Sequence, residues 1–571
     1  MALSCRDYVS VLTVNKFDNN YLKGNLAGST MEENCSLLHP RLPASSKTEP
    51  WRLIVPLLGS IVILVAAFSF PTNITLWTNE FESCLEWSSS QIKWFEIAVT
   101  CSGSMAYFAG VHMEEYGPLS ALRICALLFI AGFGLIFLGI KMESSGTVPV
   151  FIGGIILGQS TIWAATPVIA VAAMNTLPGA SVNIAIGVLE FTIAVGPVVY
   201  NVILEEFLDD DVTGTAIIFS GCLLSFIVIA MIPAIYDLPA SYGKLDVEDS
   251  SRRTSLLVAC LAVFTVVMAY DTTESAFLGW IILAIFGALF VCAIFLVILE
   301  KYIAVSENDS GVFSKTVTAV SIEKADPNNP GYEFHEVLAD VRFWTLYFIW
   351  MVSSSCSLFV FYSINDMMKS DTDDDDYWRT NAFTADVSDA LITFAAGNAA
   401  VRIFVAFAGP FSYFKTLVSH GALWMIGFLV AQSLALLWLS YVDLSLISEI
   451  RAPLFFLGVS YGAPFPLVIG SELLWFGSKN FNLYHSVMYS SLIAGTLIIY
   501  RGIFLSIYDF YRDENGGTVG CSECFTLALE VQSALCFITA GVCSALLLTT
   551  VETSRKIVND EDTETTTEPS D

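Results

Sequence analysis

Five ionisable side chains lie inside long apolar runs: Glu96, Glu190, Arg402, Glu472 and Arg501. Charge is costly in lipid, so each such group marks a pathway, a buried pair or a side chain reaching back to the interface. Glu190 sits mid-run in "AIGVLEFTIAVG". A carboxylate there can take up and release a proton; the plainer alternative is a structural bond to a neighbouring helix. Arg501 lies toward one end of its run. Its permanent, forked charge suits a carboxylate, either of a solute or of the protein itself. Arg402, in "GNAAVRIF", and Glu472, in "GSELLWFGSKNF", fall near the ends of their runs. There a long side chain can snorkel, so a gating or structural role is expected for both.

The elements that carry these groups follow from composition. The chain has 571 residues, 55% hydrophobic and 14% charged, against about 25% charged in soluble domains. Its apolar runs are about 20 residues long, enough to cross a hydrocarbon core of about 30 Å. No segment shows the short alternating pattern of a β-barrel. The expected fold class is all-α and polytopic, with the lipid bilayer as its surroundings. Fourteen spans are read: 52–70, 94–112, 122–140, 148–174, 182–204 and 214–235; then 255–270 and 278–299; then 343–364, 387–408, 416–440, 453–474, 484–508 and 531–551.

The predicted organisation is an N-terminal tail (1–50), a first six-helix half (51–235), a linker with two extra helices (236–300), a loop (301–341), a second six-helix half (342–552) and an acidic tail (553–571). The tail composition is that of a disordered segment. No apolar leader precedes Trp51, so an uncleaved signal-anchor is expected.

Charge sets the expected orientation. With both termini cytosolic, about 18 of the 26 basic residues fall in inside segments and about six outside. The outside loops are acidic, in "EEFLDDD" and "SDTDDDDYW". They are either simply solvated or a negative antechamber for cations. A net charge of −29 argues against nucleic acid as a partner. The N-terminal "EENCSLL" has the form of an acidic dileucine sorting signal, so the membrane is either the plasma membrane or an endosomal or vacuolar one.

Most of the 13 cysteines are isolated in apolar runs and read as small buried hydrophobes. Cys521 and Cys524 differ: a Cys-x-x-Cys in an outside loop is a disulfide candidate, with free thiols as the alternative. Zinc is not expected, because no second pair or His cluster accompanies it. No phosphate-binding G-x-x-x-x-G-K-[ST] loop is present. With five scattered histidines, no catalytic or metal constellation emerges. No cofactor and no enzymatic activity is expected. Glycine and proline inside spans mark hinge or cavity positions, or harmless kinks: Pro167, Gly196, Pro197, Gly462, Pro464 and Pro466.

Several stretches, in order, resemble the nodulin-like family of the major facilitator superfamily, itself akin to monocarboxylate carriers. The resemblance runs from about Trp51 to Lys556. It rests on "FPTNITLWTNEFESCLEWSSSQIKWFEIAVTCSGSMAYFAG", "LPGASVNIAIGVLEFTIAVGPVVYNVI", the middle spans ending "FLVILEK", and "RFWTLYFIWMVSSSCSLFVFYSINDM". It continues with "GNAAVRIFVAF", the stretch "YGAPFPLVIGSELLWFGSKNF", and "SIYD" before "CSECF". Two departures stand out. In "GVHMEEYGPLSALR", Gly110 and Gly117 hold the places of the facilitator signature and Glu114 stands for its Asp, but Glu115 replaces the usual base. In the fifth span, Glu190 stands where the family often has a Lys.

The resemblance implies two six-helix halves that rock about a central site, with two extra helices between them. It implies that the second helix of one half packs beside the fifth of the other. A Glu96–Arg501 pair is then expected as an outer gate, and Glu114, Arg402 and Glu472 as gating or structural charges. The implied function is secondary active transport of a small polar solute by alternating access, by a monomer. Proton coupling through Glu190 is one form of it, and organic anions or monocarboxylates are the leading solutes. An amino acid or other metabolite is an alternative, as is a membrane receptor or sensor that transports nothing.

Overall fold

The computed structural model describes residues 50–72, 81, 85–176, 180–208, 214–236, 245, 250–273, 275–308, 332–370, 381–408, 421–444, 446–477, 480–514 and 522–565. They are almost wholly helical, and their one β feature is an isolated bridge between Thr176 and Leu245.

The first half holds α1 (Pro50–Thr72), α2 (Ser89–Gly103), α3 (Tyr107–Tyr116), α4 (Pro118–Lys141), α5 (Thr147–Asn175), α6 (Ala180–Leu208) and α7 (Gly214–Met231). Two middle helices follow, α8 (Ser250–Thr273) and α9 (Ala276–Asn308), and then the short α10 (Phe334–Ala339). The second half holds α11 (Val341–Ser370), α12 (Asn381–Ala408), α13 (Gly421–Leu439), α14 (Ile447–Gly462) and α15 (Pro464–Phe476). It continues through α16 (Phe481–Ala494), a π-helical turn (Gly495–Phe504), α17 (Leu505–Glu514) and α18 (Ser522–Thr565).

Twelve helices among the described residues are long and apolar enough to cross a membrane. Helix α1, with its apolar stretch Ile54–Ser69, and the broken pair α2 and α3 supply the other two segments of the six, two and six arrangement. The fold is the all-α, multi-pass one expected.

Three spans depart from a regular α-helix, two of them for evident local reasons. Ser88 and Gln91 form a reciprocal cap that starts α2. Near its end, the Ser102 and Ser104 hydroxyls donate to the carbonyls of Val99 and Thr100, at 2.8 and 2.9 Å. Such side-chain bonds compete with the helix ladder, and the run read as one span over 94–112 is two helices. The second break separates α14 from α15 at Ala463, where Pro464 opens the new helix without an N–H to give. The third is the π-helical turn, which carries Arg501 and which the sequence pattern did not indicate.

The middle pair sits at the periphery. Helix α9 lies on α1 and α6, and α8 reaches from α6 to α12 of the second half. Their outward faces expose Phe277, Trp280, Val291, Phe295 and Ile298, as surfaces meeting lipid do. The two halves meet along α2, α3, α16 and the π turn on one side, and along α6, α12 and α15 on the other. The expected packing of second helices against fifth helices is thus present in both directions.

Candidate functional site

Helix α6 presents Glu190 to α12 of the other half. Gly187, one turn earlier, makes this possible: a methyl group there would run into Ala406. With the backbones this close, Arg402 Nη1 reaches Glu190 Oε2 at 2.8 Å and the Glu190 carbonyl oxygen at 2.7 Å. The pair is almost fully enclosed, with Arg402 2% and Glu190 0% exposed. Asn398, one turn before Arg402 on α12, accepts from its Nε at 2.9 Å. The guanidinium lies over the Phe465 ring at 4.4 Å, a favourable seat for a cation. Glu190 Oε1 is buried and has no hydrogen-bond partner among the described residues.

A second buried pair lies in the same half as Arg402. Glu472, near the end of α15, sits 2.5 Å from Nδ1 of His485 on α16. The imidazole stacks on Phe481 at 4.9 Å and meets the edge of Tyr489 at 4.9 Å. Tyr489 packs on Trp350, and Trp350 on Phe465, with ring separations of 5.2 and 5.3 Å. An unbroken row of rings therefore links the imidazole to the aromatic seat of Arg402.

The halves are also tied together at both ends of the bundle. At one end Asn482 donates to Glu114 at 3.0 Å, and Gly110 lies so close to Asn482 and Ser486 that no larger residue fits. At the other end Lys93 pairs with Asp366 at 2.6 Å and stands over the Tyr508 ring, and Thr100 bonds to Tyr362 at 2.8 Å.

Three expectations need correction. Arg501 does not pair with Glu96: its guanidinium lies over Trp94 at 5.1 Å and faces Asp509 at a loose 3.4 Å. The π-helical turn redirects this part of the span, and Asp509, eight residues on, is the nearer carboxylate. Glu96 is buried beside Lys93, whose ammonium is taken by Asp366. Arg402 does not snorkel. It lies within two turns of the end of α12 but turns inward, because a carboxylate facing it is a better partner than a distant interface. Glu472 likewise is fully buried on His485 rather than at the interface.

Gly462 marks the helix break and faces Asn398; a methyl group there would come within 2.5 Å of the amide oxygen that holds Arg402. Pro464 and Pro466 are buried just beyond it. Pro167 and Pro197 lie within α5 and α6, and Gly196 approaches the Val65 carbonyl of α1. Cys521 lies outside the described residues, as does the Cys524 side chain. Sequence reading missed His485, Asn398 and the ring row. Two signals were available: Asn398 and Arg402 share a helix face four residues apart, and Glu472 and His485 flank one short loop. Among the described residues no cluster of His, Cys, Asp and Glu could hold a metal ion.

The chain is similar to the solved structure of the proton:xylose symporter XylE of the major facilitator superfamily, bound to 6-bromo-6-deoxy-D-glucose. The match has 10% identity over 86% of this chain and 94% of that one, with a TM-score of 0.51. It is also similar to the human organic anion transporter MFSD10, at 11% identity over 87% of this chain and 100% of that one, with a TM-score of 0.50. These likenesses establish the major-facilitator fold. No protein-family model matches the sequence, and no curated protein matches it significantly.

Proposed function

We propose that the chain is a secondary active transporter of the nodulin-like kind, moving a small organic anion, with monocarboxylates first, together with a proton by alternating access. The single observation that carries this reading is the buried Glu190–Arg402 pair between the halves. Among the described residues Arg402 is the one fully buried cation that cannot lose its charge, and its fork matches a carboxylate. An anion that takes Arg402 displaces Glu190. A carboxylate left buried and unpaired is expensive, so Glu190 must take a proton as the anion binds. One proton then travels with each monocarboxylate.

The contacts at the two ends supply the gates. With the termini cytosolic, Glu114, Asn482 and the close approaches of Gly110 and Gly187 form the inner closure. Lys93–Asp366 and Thr100–Tyr362 form the outer one. The break at Gly462 and Pro464 is the hinge nearest to Arg402.

A second reading has one observation in its favour. Glu190 Oε1 has no partner among the described residues, so a zwitterionic amino acid could place its carboxylate on Arg402 and its ammonium on Glu190. Both charges would stay paired without a proton. Uptake of labelled lactate, pyruvate and phenylalanine into vesicles containing the purified protein separates the readings. The first predicts lactate or pyruvate uptake driven by an inward proton gradient. Phenylalanine uptake indifferent to that gradient supports the second. Binding of a solute with no flux points to a receptor.

A further inference from the structure

The His485–Glu472 pair has no part in seating a solute at Arg402, yet it is as deeply buried. His485 Nε2 and Glu472 Oε1 both lack a hydrogen-bond partner among the described residues. The row of Tyr489, Trp350 and Phe465 connects His485 to Arg402, on which Glu190 sits, and Glu190 Oε1 also lacks a partner among the described residues. A vacant ring nitrogen and a vacant carboxylate oxygen thus share one interior.

Charge counting says what that interior contains. Two carboxylates and one guanidinium, with a neutral imidazole, leave one uncompensated negative charge. Burying a net charge is strongly disfavoured. One further proton makes the set neutral. Arg402 cannot carry it in exchange, and Glu190 is committed to Arg402 by the ion pair. The remaining place is the His485–Glu472 pair, whose Nδ1 and Oε2 are in direct hydrogen-bond contact. Other titratable groups around α16 are engaged or exposed. Tyr484 donates to the Gly477 carbonyl, Glu114 accepts from Asn482, Tyr347 bonds to Ser490, and His335 and Glu336 face solvent. Tyr489 packs its ring on His485 and Trp350.

We infer that the His485–Glu472 pair is a proton-holding site that keeps one extra proton in the solute-free protein and passes it to Glu190 when a carboxylate takes Arg402. The step balances. The pair gives up one proton and Glu190 gains it as a carboxylic acid, while Arg402 exchanges one carboxylate for another. The pair is then refilled by one proton from solvent, and the charge of the incoming anion is cancelled. The transfer rests on the transport reading; the resting proton does not.

The test uses the full chain in lipid nanodiscs with no added solute. Nitrogen NMR of labelled histidines, with His485→Gln to identify the signals, reads the ring protons. Infrared spectra, compared with Glu472→Gln, read the carboxyl group. At neutral pH the expected result is either a doubly protonated ring beside an ionised Glu472 or a singly protonated ring beside a carboxylic acid. The extra proton is lost in Glu472→Gln. A singly protonated ring beside an ionised Glu472 in the unsubstituted protein overturns the inference, whatever the variants do. Labelled lactate in vesicles keeps the two failures apart. A held proton without lactate flux sinks the transport reading alone, and proton-coupled lactate flux with no held proton sinks this inference alone.

Discussion

Arg402 and Glu190 stand 212 positions apart in the chain and 2.8 Å apart in space, one on each half of the bundle. No other ion pair among those described joins the halves at such depth. The Lys93–Asp366 pair, which also crosses between them, is partly exposed. On the proposed transport reading, a rocking motion of the halves strains or exchanges the buried pair, and a solute that competes for Arg402 acts directly on the conformational equilibrium.

Removing one member of this pair exposes its energetic role. Arg402→Met leaves Glu190 buried alone, and breaking a buried pair in this way costs about 3–5 kcal/mol. The variant should melt well below the unsubstituted protein. Adding Glu190→Leu should restore most of the melting temperature but not solute flux. Thermal melts of the single and double variants, with vesicle uptake in parallel, check this.

Asn398 holds the Nε of Arg402, and a hydrogen bond to a charged group contributes about 1.5–3 kcal/mol. Asn398→Ala should raise the KM for the transported solute by about tenfold or more, with a smaller loss of maximal rate. A drop in maximal rate alone would place Asn398 in the motion instead of in binding.

The fit at Gly187 tolerates no side chain. Gly187→Leu should hold α6 off α12 and keep that end of the bundle open. Expected is retained folding, turnover lowered at least about tenfold, and greater reactivity toward thiol reagents of cysteines placed near Asn183. Unchanged turnover would show that this approach is not part of the cycle.

At the opposite end, Thr100 and Tyr362 are hydrogen-bonded across the halves. Tyr362→Phe removes that bond and should lower turnover several-fold while leaving the melting temperature nearly unchanged. Unchanged turnover would remove this contact from the gate.

Much of this arrangement was legible in the sequence, and the failures are informative. The helices follow from runs of apolar residues, whose length is set by the membrane. Pro464 broke its span where a missing N–H predicts. Glu190 drew attention because nothing in "AIGVLEFTIAVG" solvates a carboxylate. Partners were another matter. Arg402 and Arg501 look alike in hydropathy, and which one turns inward depends on helix rotation. Gly187 sets it for α6 against α12, and a π-helical turn sets it for Arg501. His485 fell at a span boundary, where a histidine reads as interfacial. Only the hairpin of α15 and α16 shows that it is buried on Glu472.

The most direct measurement compares two fluxes of labelled lactate for Glu190→Gln in vesicles: exchange of internal for external lactate, and net uptake driven by a proton gradient. Glutamine mimics the protonated carboxyl group and cannot release a proton. The account predicts that exchange continues while gradient-driven uptake and the accompanying internal acidification are lost. Net proton-coupled uptake at the unsubstituted rate in Glu190→Gln would contradict it.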